Sequence, residues 1–407
     1  MGLESMLALA TVALVLLKPV LCQPVAIEGR ILSLSGSAVP DSLPVAVSWP
    51  ASQISATFTG SSSVTAVIKD LTYASETSIR LLPVGISVTV NGAGTPVVTV
   101  SGDTILLTVA TSPSQSTVTL VKEDECSTGS FEFVEFLLDG SSTASFLAAP
   151  VLPERRMEFI GDSITVGFGN VGTDITCVSS TACSGSFCQL TSASQSFPVL
   201  ISTEFGAQVQ VTAWSGAGLT KNKEAPALQS TGSIIYGTPT PNLPEIYTRA
   251  DGSIPDSVYD PKSYIPQVVV LAIGVNDFLD SSAYPDLGTW TQVYVAVLTA
   301  LTTDYPGVKI IMVQYPATLT NAYQPGLLYG NQVANLVPPD NWPVYDIYHQ
   351  AAFTAAQAAG LTNVVYFELP DVVGEFPRGC AGHPSVQGDA AIAAQLAPFV
   401  SQVMGWA

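Results

Sequence analysis

Arg155–Asn170 reads RRMEFIGDSITVGFGN. An apolar run, Met157-Glu158-Phe159-Ile160, stops at Gly161. Asp162, Ser163, Ile164 and Thr165 follow, then a glycine-rich stretch, Gly167-Phe168-Gly169. This is the pattern of a buried strand that ends abruptly and presents a serine at its carboxyl end. In an open α/β sheet, ligands bind outside the carboxyl ends of the strands. Ser163 is therefore a candidate nucleophile, provided the rest of the chain supplies a base and an oxyanion site.

Downstream of this stretch the pattern alternates strands and helices, which argues for a parallel sheet. Strands are expected at Glu158–Ile160, Gln208–Ala213, Val268–Ile273, Lys309–Gln314 and Val364–Phe367. Helices are expected at Trp290–Thr303, Tyr345–Ala359 and Gln387–Met404. Cys177–Leu190 and Leu219–Pro261 read as long, turn-rich loops, a length that usually marks function or flexibility.

Upstream, short β-type runs recur between turn residues: Val45–Trp49, Ile54–Thr59, Ser63–Ile68, Ile86–Val90, Pro96–Val100, Thr104–Val109, Gln115–Val121 and Phe131–Leu138. Asn91-Gly92 is a strong hairpin signal. The expectation is an all-β sandwich of the jelly-roll kind over residues 27–147, acting as an accessory or packing domain. Residues 148–154, which include the Pro-bearing AAPVLP, form a linker, and 155–407 form the catalytic domain.

The chain has 407 residues, net charge -19 and only 11% charged residues. No cluster of Lys and Arg exists, which argues against nucleic acid or an anionic membrane surface as a partner. Met6–Leu17 is apolar but shorter than the roughly 20 residues a span needs. It reads as the core of a signal peptide covering 1–22, so the expected location is extracellular, with no membrane attachment after cleavage. The n-region is atypical, with Glu4 and no basic residue. Six cysteines, Cys22, Cys126, Cys177, Cys183, Cys188 and Cys380, suit disulfides in an oxidising compartment. Connectivity stays open. A zinc site is disfavoured by two histidines in all and no pair of Cys-x-x-Cys motifs. No metal or cofactor is expected, and the protein is expected to be monomeric.

Four strand-end signals fall in one order: Gly161-Asp162-Ser163-Ile164, Ser215-Gly216-Ala217-Gly218, Gly274-Val275-Asn276-Asp277 and His383-Pro384-Ser385. Strand ends meet on one edge of a parallel sheet, so the four blocks can converge. Together they fit acyl transfer. A serine hydroxyl needs a base, and histidine titrates near working pH. His349 falls in a helical pattern, which leaves His383 as the base. The oxyanion needs preorganised N–H donors, for which Ser163 N–H, Gly216 N–H and the Asn276 amide are the candidates. Each block also has a plainer reading: Ser163 as a helix N-cap, Gly216 and Gly218 as turn glycines, Asn276 and Asp277 as an Asx turn. The conjunction of the four favours catalysis.

The blocks resemble those of the SGNH (GDSL) hydrolase superfamily. Arg155–Thr165 and Gly379–Ser385 are similar to the first and last blocks of carbohydrate esterase family 2, as is the sandwich that precedes them. The resemblance implies a three-layer α/β hydrolase domain with a central parallel sheet. It also implies a secreted esterase that removes acetyl groups from xylan and related polysaccharides. Many such hydrolases place an acid three residues before the histidine, where this chain has Cys380. Either a backbone carbonyl orients His383 or another acid does, with Asp371, Glu375 and Asp389 nearby. Asp277 is expected to support its neighbours rather than react, and Cys380 to be a disulfide partner. Trp214, Trp290 and Trp342 are candidates to line a sugar groove. Two rival readings remain: another SGNH lipase or acyl esterase, and a carbohydrate-binding protein whose hydrolase site is degenerate. The G-x-S-x-G elbow of α/β-hydrolases is absent, since Thr165 stands at its second glycine.

Overall fold

The structure is a computed structural model. It describes residues 23–33, 43–71, 84–94, 98–100, 104–125, 129–172, 190–222, 242–252, 254, 256–278, 284–316, 328–329, 332–333, 342–370 and 376–407. The expected signal peptide and five of the six cysteines lie outside them, as do residues 177–189 of the first long loop and 223–241 of the second.

The first part is built from two antiparallel sheets. One runs in the order Val25–Glu28, Gln53–Thr59, Ser116–Lys122, Val84–Val90, Ala93–Gly94, with Ser145–Phe146 and Val98–Val100 paired off this path. The other runs Ile31–Ser33, Val45–Val47, Phe131–Leu138, Ser63–Asp70, Ile105–Ala110. Residues of both sheets, among them Phe58, Ile86, Val118, Phe133 and Phe136, form one apolar core. Alternation along Ser116–Leu120 and Phe131–Phe133 sends every second side chain into it, and an irregularity after Phe133 shifts the phase so that Phe136 also points inward. Asn91 and Gly92 both have positive φ, 51° and 78°, as a two-residue type I′ hairpin turn requires. The strands Val25–Glu28 and Ile31–Ser33 escape the sequence pattern because they are short and broken by Gly29.

Five parallel strands follow: β1 (Arg155–Gly161), β2 (Ala207–Ala213), β3 (Val268–Ala272), β4 (Lys309–Gln314) and β5 (Val364–Glu368). Their order is β2-β1-β3-β4-β5, a doubly wound sheet whose direction of winding switches between β1 and β3. The helices are α1 (Ser163–Val166), α2 (Phe197–Glu204), α3 (Leu243–Tyr247), α4 (Leu287–Asp304), α5 (Trp342–Ala358) and α6 (Val386–Met404). α2 packs on α6, and α4 packs on α5. β1 to β4 are buried along nearly their whole length; β3 and the body of β4 read as continuous apolar runs for that reason, whereas β1 and β2 bury polar residues such as Glu158, Gln210 and Thr212. α4 starts three residues before the sequence expectation because Asp286 caps it, accepting the Thr289 N–H at 2.8 Å. α2 and α3 are too short for their period to show in the sequence. Among the described residues, no helix is long and apolar enough to cross a membrane.

The sandwich and the parallel sheet share buried ground. Arg30, from the sandwich, reaches Glu158 on β1 at 3.0 Å and donates to the carbonyls of Tyr247 and Arg249 at 2.7 and 3.1 Å. Its guanidinium lies 3.6 Å from the Tyr259 ring centroid. Glu158 also accepts from Gln210 and Thr212, each at 2.8 Å. A buried pair is costly unless its remaining hydrogen-bonding capacity is met; here the partners converge on Glu158 Oε1, and Oε2 and Arg30 Nε have none among the described residues. Trp49 Nε1 donates to the Ala250 carbonyl at 2.9 Å. Ala51 joins the core of the α/β part.

Candidate active site

Ser163 stands where β1 gives way to α1 at the winding switch. The N-cap is Asp162, whose Oδ1 accepts the Ile164 N–H at 3.0 Å, so Ser163 is left with its hydroxyl uncommitted to capping. Gly161 is required here. A Cβ on it would lie 2.1 Å from Thr165 Oγ1 and 2.6 Å from the Ala272 carbonyl of the neighbouring strand. Ser163 is 9% exposed, and its Oγ is 2.7 Å from His383 Nε2, as nucleophile and base must be.

His383 follows the short 3-10 turn Cys380–Gly382. Main chain bonded to main chain closes its loop: Gly379 N–H donates to the His383 carbonyl at 2.8 Å and His383 N–H to the Cys380 carbonyl at 3.1 Å. The same loop is stitched to the serine loop. Cys380 N–H donates to Gly169 O, and Val386 N–H to Asn170 O, both at 2.9 Å. The Phe168 ring meets the imidazole edge-on, with centroids 4.9 Å apart. Glycine makes this approach possible. A Cβ on Gly169, which has φ +67°, would lie 2.6 Å from Cys380 Cβ. Cys380 is buried and disulfide-bonded, and its Cβ packs toward Gly169 and Gly172. Of the three acids near His383 in sequence, Asp371 and Glu375 lie outside the described residues. Asp389 accepts instead from the Asn170 amide at 3.0 Å and the Phe197 N–H at 3.2 Å. Burial pushes Asp389 up to about 8, opposed by those two bonds.

Across Ser163, the turn Trp214–Ala217 closes with the Ala217 N–H donating to Trp214 O at 3.1 Å. Gly216 has φ +80°, the value of the third residue of a type II turn. Gly218 N–H is taken by Asn222 Oδ1 at 2.9 Å, whereas Gly216 N–H has no partner among the described residues. Asn276, in the turn Val275–Phe278 after β3, donates from Nδ2 to Ala217 O at 2.8 Å and to Asp162 Oδ2 at 3.3 Å. The first bond ties the asparagine to the glycine turn, and the second is long and weak. Asp277 braces the segment beyond: Oδ2 accepts Leu219 N–H at 2.7 Å, and Oδ1 accepts the N–H groups of Thr220 and Lys221 at 2.8 and 3.0 Å. Burial raises Asp162 to about 7, against its bond to the Ile164 N–H, and the Asp277 charge adds to the rise.

Other expected positions fall differently. Trp290 is 0% exposed, enclosed by Phe278, Tyr294, Tyr348 and His349, and cannot reach a sugar. It sits on the inward face of α4, where an apolar ring serves the core. Trp342 opens α5, and its side chain lies outside the described residues. Trp214 is 6% exposed and packs with Trp49, Ala217 and Ile246. His349 is buried among Trp290, Tyr294 and Tyr345, and burial lowers it to about 3, so it stays neutral.

The sequence reading passed over Lys122-Glu123-Asp124-Glu125, at the end of a sandwich strand. All four are buried, at 0%, 1%, 1% and 3% exposure. Glu125 Oε2 accepts the Ser215 N–H at 2.5 Å. Glu123 accepts from the Ser192 hydroxyl at 3.1 Å and the Ser194 N–H at 3.0 Å. Ser192 in turn holds both ends of the Asn170 amide. The available signal was four consecutive charges in a chain where charge is scarce. Such a run ordinarily marks a solvated turn; here Lys122 and Asp124 pair within the sandwich, and Glu123 and Glu125 are taken up by the neighbouring domain.

Comparisons with known proteins agree with this architecture. Residues 39–150 match the family model "Carbohydrate esterase 2 N-terminal". The chain is 26% identical over 287 residues to the cellulase/esterase CelE of Acetivibrio thermocellus, covering 70% of this chain and 30% of that protein. It is 28% identical over 386 residues to an acetylxylan esterase / glucomannan deacetylase of Cellvibrio japonicus, covering 94% of this chain and 92% of that one. It spans 60% of a second Cellvibrio japonicus protein of the same description. Among solved structures, an active-site mutant of a family two carbohydrate esterase from Clostridium thermocellum superposes with TM-score 0.73. That likeness, at 22% identity over 95% of this chain and all of the other, concerns the fold. The chain resembles carbohydrate esterase family 2.

Proposed function

We propose, on that resemblance, that the protein is a secreted serine esterase that removes O-acetyl groups from polysaccharides such as xylan. The observation that carries the reading is the 2.7 Å contact between Ser163 Oγ and His383 Nε2, at a sheet edge beside Gly216 and Asn276. Ser163 Oγ attacks the acetyl carbonyl while His383 takes its proton. The carbonyl oxygen becomes an oxyanion, which accepts hydrogen bonds from the N–H groups of Ser163 and Gly216 and from Asn276 Nδ2. For this, Asn276 turns the hydrogen of its long bond to Asp162 toward the oxyanion and keeps its bond to Ala217. The tetrahedral species collapses, the sugar oxygen leaves with the proton held by His383, and an acetyl-serine remains. Water, deprotonated by the same histidine, releases acetate and restores Ser163.

We read the sandwich as jelly-roll-like and the protein as a monomer acting outside the cell. Trp214, which keeps a narrow exposed edge beside Ser215 and Gly216, is assigned to the sugar side of the site. The test is acetate release from a panel of acetylated xylan and glucomannan. Ser163→Ala is expected to lower the rate by at least about 10³-fold with the melting temperature unchanged. Full activity in that variant overturns the mechanism. Preference for long-chain over acetyl esters would make the protein a general acyl esterase. Polysaccharide binding without turnover of an activated acetate ester would make it a binding protein.

A further inference from the structure

We infer that Glu125, a residue of the sandwich, is a positioning residue for the oxyanion site, so that the sandwich is part of the catalytic apparatus. The inference rests on the esterase reading above. Its basis is the geometry of the turn that carries Gly216. Type I and type II turns differ by a flip of their central peptide, here the peptide that bears the Gly216 N–H. Gly216 at φ +80° takes the type II form. Whether that N–H faces the oxyanion therefore depends on what holds the turn.

Three contacts do so. Trp214 N–H is bonded to Gly161 O at 3.3 Å, and Ala217 O accepts from Asn276 at 2.8 Å. Between them, the Ser215 N–H is held by Glu125 Oε2 at 2.5 Å. The contact to Gly161 is long, so Glu125 provides the shortest restraint on the peptide immediately before the flipping one. The partners come from different domains, separated by 90 positions in sequence. A bond between a carboxylate and a backbone N–H is among the stronger hydrogen bonds, and its burial removes water as a competing donor.

Glu125 is itself fixed. Its own carbonyl accepts from the buried Lys122 ammonium at 3.2 Å. Lys122 also pairs with the Asp124 carboxylate, whose other oxygen accepts the Gly85 N–H at 2.6 Å. The segment is thus anchored in the sandwich before it reaches the glycine turn. One residue pair from this segment, Glu123 with Ser192, extends the same support toward Asn170 and the histidine loop.

The test compares Glu125→Gln, Glu125→Asp and Glu125→Ala in the full chain, with wild type and Ser163→Ala alongside. Gln keeps an acceptor at the same reach without the charge, while Asp keeps the charge one methylene short. If the role is positional, Gln stays within about threefold of wild-type kcat. Asp and Ala then lose about 10- to 100-fold in kcat, a part of what removing an oxyanion donor costs, with KM for the acetyl ester nearly unchanged. If Glu125→Ala does not fold, the order of Gln over Asp still decides the matter. Wild-type kcat in Asp, a loss in Gln as large as in Asp, or an effect confined to KM overturns the inference. When wild type releases acetate and Ser163→Ala does not, such a result leaves the esterase reading standing. An inactive wild type overturns both.

Discussion

On one side of Ser163, the loop carrying His383 is held by main chain against main chain, with glycines admitting the close approach of Cys380 to Gly169 and Gly172. On the other side, the turn carrying Gly216 keeps one long main-chain bond, Trp214 N–H to Gly161 O, and is otherwise gripped by side chains: Asn276 and Glu125, with Asp277 bracing the residues that follow. The difference has a chemical reason. The base must keep one distance to one atom, which a rigid backbone loop can set. The oxyanion site must present N–H groups into a space that stays open, so its backbone cannot saturate itself and has to be gripped from behind. Carboxylates, which only accept when ionised, can grip the outer N–H groups without supplying a donor that competes for substrate.

That comparison can be broken from either side. The largest effect is expected from Asn276→Ala, which removes an oxyanion donor and the bond to Ala217 together. Acetate release should fall about 10²- to 10³-fold, mainly in kcat, with the Ser163–His383 pair intact. An unchanged kcat would show that Gly216 and Ser163 suffice. On the histidine side, Gly169→Ala asks a left-handed backbone position to accept a Cβ that collides with Cys380. A loss of about 2–3 kcal/mol in denaturant unfolding is expected, with a fall in activity of about tenfold. Unaltered stability would mean that the two loops yield easily.

The smallest effect on activity is expected for the histidine that takes no part in the site. His349 has its folded pKa lowered to about 3 by burial, below its unfolded value. Its contribution is therefore fully present above about pH 6.5 and is lost as pH falls toward about 3. Over that window it steepens acid destabilisation by at most about 1.4 kcal/mol per pH unit. His349→Phe should flatten the decline of unfolding free energy between pH 6.5 and 4 relative to wild type. An identical slope would place the titrating group elsewhere.

Much of this was legible before the fold was known. The apolar runs at Val268–Ala272 and Lys309–Gln314 are buried on both faces, and such strands announce themselves. Ser163, Asn276 and His383 stand out because each follows a strand or precedes a helix in a recognisable block. Trp290 misled because an aromatic ring carries the same letter in a core as in a groove. Its position on α4 gives no hint of which side the helix presents. Short elements such as α3, five residues long, carry too little period to be read.

The order of the parts could be read from the residues alone: a β-rich segment, a short connector, and strands alternating with helices, with the serine, glycine and asparagine blocks following strands and the histidine block preceding the last helix. Local periodicity and turn chemistry act over a few residues, and those are written in the chain directly. What lies behind the site came from folding. Cys380 turns to Gly169 and Gly172. Asp389 spends its oxygens on Asn170 and Phe197. Glu125 crosses from the sandwich to Ser215. Those contacts join residues far apart in sequence. Whether a charge is solvated or gripped depends on a surface that does not exist until both domains have folded.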